Sequence, residues 1–157
     1  MFKKLVILLL FTSCSTIPID RSEVVTSERK DFKKHLKKFT SDGCSHWPNG
    51  TREKPNVWLK CCYGHDRDYW IGGTREQRKQ ADIRLRECVK EEFSDWMGIL
   101  MLLGVRVGGR PNYDTTYKWG YGWSYERGYI EVTKEELDYA NRLSPFDKTD
   151  YRYLEVK

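Results

Sequence analysis

Apolar side chains recur with a helical period along two segments in the middle of the chain. The first segment runs from Val57 to about Ile71, and Gly72-Gly73 then favours a helix end. Thr74 followed three residues later by Gln77 has the spacing of a capping box. This spacing predicts that a second helix begins directly after the glycines.

The second helix is predicted to persist to about Leu103, before Gly108-Gly109-Arg110-Pro111 stops it. Its apolar positions lie near one face: Ala81, Leu85, Cys88, Phe93, Trp96 and Leu100. The apolar run over residues 96–105 is expected to be core, with contact to a membrane as the alternative. Because the turn is short, we expect two antiparallel helices at the centre of a mainly α domain.

The segments before and after this helix pair also have patterns that predict structure. Upstream, Phe32, Leu36 and Phe39 share one face of a predicted helix that Ser27 caps and that lysines otherwise cover. Such a helix can pack on the core, lie on an anionic membrane, or do both. Downstream, residues 112–132 are dense in Tyr, Trp and Gly, which predicts an irregular or short β segment packed on the helices, or one lining an acyl pocket. A last helix is predicted from Thr133 to Leu143.

The amino terminus, MFKKLVILLLFTSC, predicts export. Its apolar run from Leu5 to Phe11 is too short to span a bilayer, and two lysines precede it. The stretch resembles a bacterial lipoprotein signal, with residues 1–13 removed and Cys14 lipidated, although Phe11 departs from the usual leucine. Residues 14–26 then form a tether. The resemblance implies anchoring in the cell envelope, at the outer membrane if the cell is Gram-negative, since Ser15 follows. A plain cleaved signal and a secreted protein is the alternative.

Cysteine usage agrees with export to an oxidising compartment. If Cys14 is lipidated, an even number remains, suited to two disulfides: Cys44, Cys61, Cys62 and Cys88. Their spacing contains no Cys-x-x-Cys pair, so a zinc site is a poor fit. The formal net charge of +5 includes two leader lysines and is too mild to indicate nucleic-acid binding.

The segment CCYGHDRDYW, residues 61–70, concentrates the reactive side chains. Adjacent cysteines do not readily bond each other, so each needs a partner elsewhere. His65 precedes the predicted turn by about as many residues as Asp82 follows it, which leaves an axial offset of roughly 3 Å across the hairpin. A histidine held by an aspartate is a general base with a fixed tautomer. Asp66 projects differently. With Asp42 and the carbonyls around Gly43 it offers the hard oxygen ligands that Ca²⁺ prefers.

These residues carry a family resemblance. CCYGHDRDYW is similar to the secreted phospholipase A2 signature, and ADIRLREC places Asp82 six residues before Cys88, as in that family. The upstream SDGC resembles the calcium-loop aspartate and cysteine of its bacterial members. Two cysteines that the family often has are missing together, at the positions of Asp68 and Ala81, as loss of one disulfide requires. The animal-type calcium loop, rich in Gly and Cys, is absent.

The resemblance covers about residues 40–100 and implies a phospholipase A2-like domain. We place this domain at residues 27–157, with its core at 40–103 and an aromatic and Gly-rich extension at 104–157 that has no counterpart in the family. The resemblance implies His65 as the base that activates water, with Asp82 orienting it and Tyr69 hydrogen-bonded to Asp82. The implied calcium ligands are Asp66, Asp42 and the Gly43 carbonyl. The implied disulfides are Cys44–Cys62 and Cys61–Cys88.

The function that this resemblance implies is calcium-dependent hydrolysis of the sn-2 acyl ester of phospholipids at a membrane surface. The chain has no Gly-x-Ser-x-Gly motif for a serine nucleophile. The alternative from another class is a non-catalytic envelope lipoprotein of the same fold, which binds lipid or protein.

Overall fold

A computed structural model describes residues 31–144 of the chain and forms a mainly helical fold there. The helices in this range are α1 (Phe32–His35), α2 (Leu59–Ile71), α3 (Arg75–Glu92), α4 (Asp95–Gly108) and α5 (Lys134–Leu143). Between residues 31 and 144 no β-strand forms, and one isolated antiparallel bridge joins Leu36 to Trp123. The predicted signal peptide, Cys14, the tether and the cap at Ser27 all lie outside the described residues.

The turn between α2 and α3 follows the prediction. Gly72 and Gly73 both have positive φ angles, 73° and 137°. A Cβ atom on Gly72 would lie 2.9 Å from Cα of Gly120, so the close approach of another backbone also requires glycine there. Thr74 and Gln77 form the capping box that begins α3. The chain therefore reverses in three residues, and α2 and α3 pack as an antiparallel pair.

The prediction of one helix from Thr74 to Leu103 is wrong. α3 ends at Glu92, Phe93 leaves helical geometry (φ −142°, ψ −69°), and α4 begins after Ser94. α4 folds back on α3, where a Cβ on Gly98 would lie 2.6 Å from the carbonyl oxygen of Arg86. This reversal buries Met97 and Met101 against the cysteine-rich core, which a straight helix would leave in water.

The amino-terminal helix is shorter than predicted. α1 ends at His35, and Leu36 is extended (φ −84°, ψ 110°). The reason is pairing with the distant aromatic segment, since the amide of Lys37 donates to the Gly122 carbonyl (2.8 Å). Leu36 and Phe39 are nevertheless buried, in a cluster with Trp70 and Trp123. These two apolar residues therefore pack on the core, as the packing alternative predicts.

The aromatic segment over residues 112–132 is irregular and completes the carboxyl end of α2. The last carbonyls of a helix have no partner within it. Here the amides of Gly120 and Gly122 donate to the carbonyls of Tyr69 (2.6 Å) and Trp70 (2.9 Å). The indole of Trp123 donates to the Ile71 carbonyl at 2.7 Å. Packing of this segment on the helices is thus confirmed, and it fixes the end of the helix that carries His65.

A buried ion pair connects the aromatic segment to α5. The guanidinium of Arg127 donates to both carboxylate oxygens of Glu136, at 2.9 and 2.6 Å, and each side chain is 1% exposed. Glu136 also completes the capping box with Thr133, as predicted. From α2, Arg67 donates to Asn141 (2.7 Å) near the end of α5. These contacts hold the carboxyl-terminal helix against α2.

Two disulfides link the elements around the site. Cys44–Cys62 joins the loop before α2 to that helix, and Cys61–Cys88 joins α2 to α3. Both pairings agree with those that the family resemblance implies. Within the described part of the chain, every helix is too short or too polar to cross a bilayer.

Candidate functional site

His65 and Asp82 meet across the α2–α3 pair. Nε2 of His65 lies 3.1 Å from Oδ1 of Asp82, and Asp82 is 0% exposed. With the Nε2 proton donated to this oxygen, the imidazole is oriented with Nδ1 as its free lone pair. Among the described residues, no side chain hydrogen-bonds to Nδ1. The predicted histidine–aspartate pair is therefore brought together, with one ring nitrogen available.

Tyr69 also contacts Asp82. Its hydroxyl donates to the same Oδ1 at 2.7 Å, one helical turn after His65. The hydroxyl in turn accepts from Nε of Arg78 at 3.1 Å. Burial is the main cause of a raised pKa for Tyr69, and the charge of Asp82 adds to it. The phenol thus stays protonated and serves as a fixed donor to the carboxylate.

Arg106, which the sequence analysis did not single out, contacts the other oxygen of Asp82. Its Nε lies 2.9 Å from Oδ2, an ion pair whose N–H direction falls outside hydrogen-bond geometry. The same side chain donates from a terminal nitrogen to the Lys79 carbonyl at 3.1 Å. Because a fully buried carboxylate is costly without a partner, this cation offsets part of the cost of burying Asp82.

Asp66 lies beside His65 but faces a different group. Its Oδ2 accepts a 2.6 Å hydrogen bond from the hydroxyl of Ser41. Burial raises the pKa of Asp66 to about 7; nearby Asp42 adds to the rise, whereas Ser41 and His65 oppose it. Within residues 31–144 no Lys or Arg pairs with it. A buried carboxylate without a cationic side chain is a suitable ligand for a metal cation.

The loop before α2 brings Asp42 and Gly43 to the same place. Gly43 has φ 84°, and a Cβ there would lie 2.6 Å from Oδ1 of Asn49. Its amide donates to the hydroxyl of Ser41 at 3.0 Å, while no described residue donates to its carbonyl. Asp42 is exposed and accepts from Ser45 at 2.7 Å.

The oxygen atoms available at this place are of the chemical type that calcium prefers. It consists of two carboxylates, from Asp42 and Asp66, and one backbone carbonyl, from Gly43, all hard oxygen ligands. In the described part of the chain, no group of three or more His, Cys, Asp or Glu side chains is arranged so that the side chains alone could hold a metal ion. Backbone oxygen and water would therefore have to complete the coordination.

A cavity of about 470 Å³ lies at this site. His65, Asp66 and Tyr69 line it together with Asp42 and Gly43, whereas Asp82 lies behind His65 and is not part of the lining. The apolar part of the lining comes from α4, with one residue from α3: Leu85, Leu100, Met101, Gly104, Val105 and Gly108. The volume suits a small ligand or one end of an amphiphile.

Sequence analysis missed two residues that contact the site, and they differ in whether a sequence pattern could have revealed them. Arg106 is the single charged residue after Asp95 in an otherwise apolar helix, a pattern that could have marked it. Ser41 gives no such signal, because serine beside aspartate is common in loops.

Compared with protein-family models, curated proteins and solved structures, the chain has no significant match in any of the three. The fold and the side-chain geometry of the described residues therefore carry the functional argument.

Proposed function

We propose that this protein hydrolyses the sn-2 acyl ester of phospholipids at a membrane surface, with calcium as cofactor. The observation that carries this proposal is the orientation of His65 by buried Asp82, with His65 lining one cavity together with Asp66. A general base, a candidate cation site and an apolar wall within one cavity are the parts that such a reaction needs.

His65 acts as the general base in this proposal. Nδ1 takes a proton from a water molecule, and that water attacks the ester carbonyl. Asp82 fixes the tautomer through Nε2 and stabilises the imidazolium that forms. Tyr69 and Arg106 hold Asp82 on its two oxygens. The imidazolium then returns the proton to the departing alcohol, so no covalent acyl-enzyme is required.

Asp66, Asp42 and the Gly43 carbonyl would hold the calcium ion, with the loop conformation supported by Ser41 and Cys44–Cys62. Calcium supplies charge stabilisation for the phosphate and for the oxyanion of the attacked ester. Leu100 and Met101 would contact the acyl chain and exclude water from it. The protein would act after export, anchored through Cys14 in the cell envelope.

The non-catalytic envelope lipoprotein remains the second candidate, and one observation favours it. Arg106 shares the charge of Asp82, so less of that charge is available to stabilise an imidazolium on His65. In this alternative the same cavity and helices bind lipid or protein without turnover.

Release of fatty acid from phospholipid vesicles by the oxidised chain separates these candidates. We expect release with calcium, none with chelator, and a fall of roughly 10²–10⁴-fold in His65→Ala. His35→Ala is the matched control, because His35 lies outside the cavity and hydrogen-bonds to Ser124. Absence of calcium-dependent release by folded, disulfide-bonded protein would refute the enzyme.

A further inference from the structure

The loop that carries the candidate cation ligands has little backbone support of its own. We call residues 40–43 the cation loop. Among the described residues, none forms a backbone-to-backbone hydrogen bond with the cation loop. Side chains hold it instead: the amide of Gly43 donates to the hydroxyl of Ser41 at 3.0 Å. Directly after the loop, Cys44 is tied to Cys62. The conformation of the loop therefore depends on side-chain contacts at its two ends.

At the amino end of the cation loop this contact comes from Tyr121 in the aromatic segment. The hydroxyl of Tyr121 donates to the backbone carbonyl of Thr40 at 2.6 Å. Thr40 precedes Asp42 by only two residues. A fixed carbonyl at Thr40 therefore restricts the backbone conformations that are open to Asp42 and reduces the entropy that the loop loses when it is ordered.

Tyr121 is itself held firmly. Its ring packs against two buried clusters, one that contains Trp70 and one that contains Trp119. The residues on either side of it, Gly120 and Gly122, donate their amides to the carboxyl end of α2. The hydroxyl thus extends from a frame that is bound to the helix carrying the other candidate ligand. A rigid ring of this kind holds a partner at low entropic cost.

A second tyrosine joins Tyr121 to the cavity. The rings of Tyr117 and Tyr121 meet edge to face, with centroids 5.0 Å apart. Tyr117 lines the cavity together with Asp42 and Asp66. Burial raises the pKa of both phenols, and the charges of the two aspartates raise the pKa of each further. Tyr121 therefore lies close enough to both candidate ligands to interact with their charges.

We propose that Tyr121 is a positioning residue for the cation loop. Its hydroxyl holds the carbonyl of Thr40 and so keeps Asp42 and the Gly43 carbonyl directed toward Asp66. Calcium affinity depends on the rigidity of the site as well as on its ligands. The inference rests on the proposed function, in which calcium is the bound cation. It gives the aromatic segment a role at the site, in a chain that lacks the animal-type calcium loop.

A matched control separates this role from a general contribution to stability. The hydroxyl of Tyr139, on α5, also donates to a backbone carbonyl of the amino-terminal segment, that of Lys33 at 3.2 Å. Lys33 lies in α1, and neither residue lines the cavity. Tyr121→Phe and Tyr139→Phe therefore each delete one bond from a phenol to a backbone carbonyl, but only the first bond reaches the cation loop.

The test compares the full-length, oxidised parent with these two variants. Calcium binding is measured by calorimetric titration in the absence of substrate. We expect Tyr121→Phe to bind calcium roughly three- to tenfold more weakly than the parent, because one hydrogen bond that orders the loop is lost. Tyr139→Phe should bind calcium as the parent does. Denaturant unfolding in chelator should show a similar, small loss of stability in both variants.

Two further measurements distinguish positioning from destabilisation. Without calcium, the amide of Gly43 should exchange its hydrogen faster in Tyr121→Phe than in the parent or in Tyr139→Phe. In hydrolysis of a monomeric short-chain phospholipid, Tyr121→Phe should need a higher calcium concentration for its half-maximal rate, and excess calcium should recover the rate that was lost. A rate that excess calcium does not recover would indicate damage to the fold and would contradict the proposal.

The calcium titration decides the inference. Unchanged affinity in Tyr121→Phe, an equal loss of affinity in Tyr139→Phe, or a parent that binds no calcium overturns it. If the parent binds calcium but hydrolyses no phospholipid, the proposed function fails, while the titration still decides the role of Tyr121. If hydrolysis depends on calcium but Tyr121→Phe needs no more calcium than the parent, the inference fails and the proposed function stands.

Discussion

Arg106 on α4 and Asp82 on α3 form an ion pair at the back of the candidate site, with Nε and Oδ2 2.9 Å apart. Asp82 uses its other oxygen for His65 and Tyr69. One wholly buried carboxylate thus joins three helices, and its charge is shared between an imidazole, a phenol and a guanidinium.

Removal of this cation should destabilise the fold. Arg106→Met leaves Oδ2 of Asp82 buried without a partner, which we expect to lower the free energy of unfolding by roughly 1–3 kcal/mol. Arg106→Lys should recover part of the loss. Denaturant unfolding measures it, and Arg110→Met is the control, because exposed Arg110 lies over the ring of Tyr113. Equal stability of Arg106→Met and wild type would show that the pair adds nothing.

The phenol of Tyr69 should matter for stability more than for turnover. Tyr69→Phe deletes the hydroxyl that donates to Asp82 and accepts from Arg78, so we expect a loss of roughly 1–3 kcal/mol in unfolding free energy. Because His65 keeps its own hydrogen bond to Asp82, kcat should fall by less than about tenfold. A much larger fall in kcat, at unchanged KM, would place the hydroxyl in the chemistry itself.

The buried Asp66 gives the calcium-free protein a pH dependence whose sign is opposite to that of a typical paired carboxylate. Its folded pKa is raised from 3.8 to about 7, so the folded state holds the proton more tightly than the unfolded state does. The contribution of Asp66 to stability therefore falls as pH rises from about 4 to about 7. Asp66→Asn should be the more stable protein at pH 8, by on the order of 4 kcal/mol, and nearly equal at pH 4.

Unfolding curves of wild type and Asp66→Asn in chelator, measured between pH 4 and pH 8, test this. Calcium binding should show the complementary behaviour, weakening below about pH 7 in wild type as Asp66 takes up its proton. Calcium affinity that Asp66→Asn leaves unchanged would remove Asp66 from the ligand set.

The Arg127–Glu136 pair should be costly to break from one side. Both side chains are 1% exposed, so Arg127→Met leaves a buried carboxylate and should cost roughly 3–5 kcal/mol. Combining it with Glu136→Gln should cost less than the sum of the single changes. Lys118→Met is the control, since its 3.7 Å pair with Glu126 is more exposed and should contribute below about 1 kcal/mol. Additive losses would contradict the coupling.

Local signals in the sequence predicted the end of α2, the start of α3 and both ends of α5. The glycines at the end of α2 and the capping boxes of Thr74 and Thr133 act within a few residues, so neighbouring sequence suffices to specify them. The proximity of His65 and Asp82 could also be predicted, because two helices joined by a short turn align positions equidistant from it.

The break after Glu92 could not be predicted from the apolar period alone. The period continues through Phe93 and Ser94, and the reversal is favoured by burial of Met97 and Met101 against α3. The same reversal turns Trp96 and Leu103 toward solvent. Whether an apolar side chain of α4 is buried or exposed depends on where the helix packs. The apolar period of the sequence carries no information on that.

The sequence by itself determined a mainly helical chain, a helix pair that aligns His65 with Asp82, and an even set of cysteines for two disulfides. Only the tertiary structure decided that Arg106 reaches Asp82, that Ser41 reaches Asp66, and that two backbone amides and one indole of the aromatic segment complete α2. The physical reason is distance along the chain. Capping boxes and terminal glycines act on neighbouring residues, whereas buried polar groups take whichever partner the packing of remote segments brings within hydrogen-bond reach.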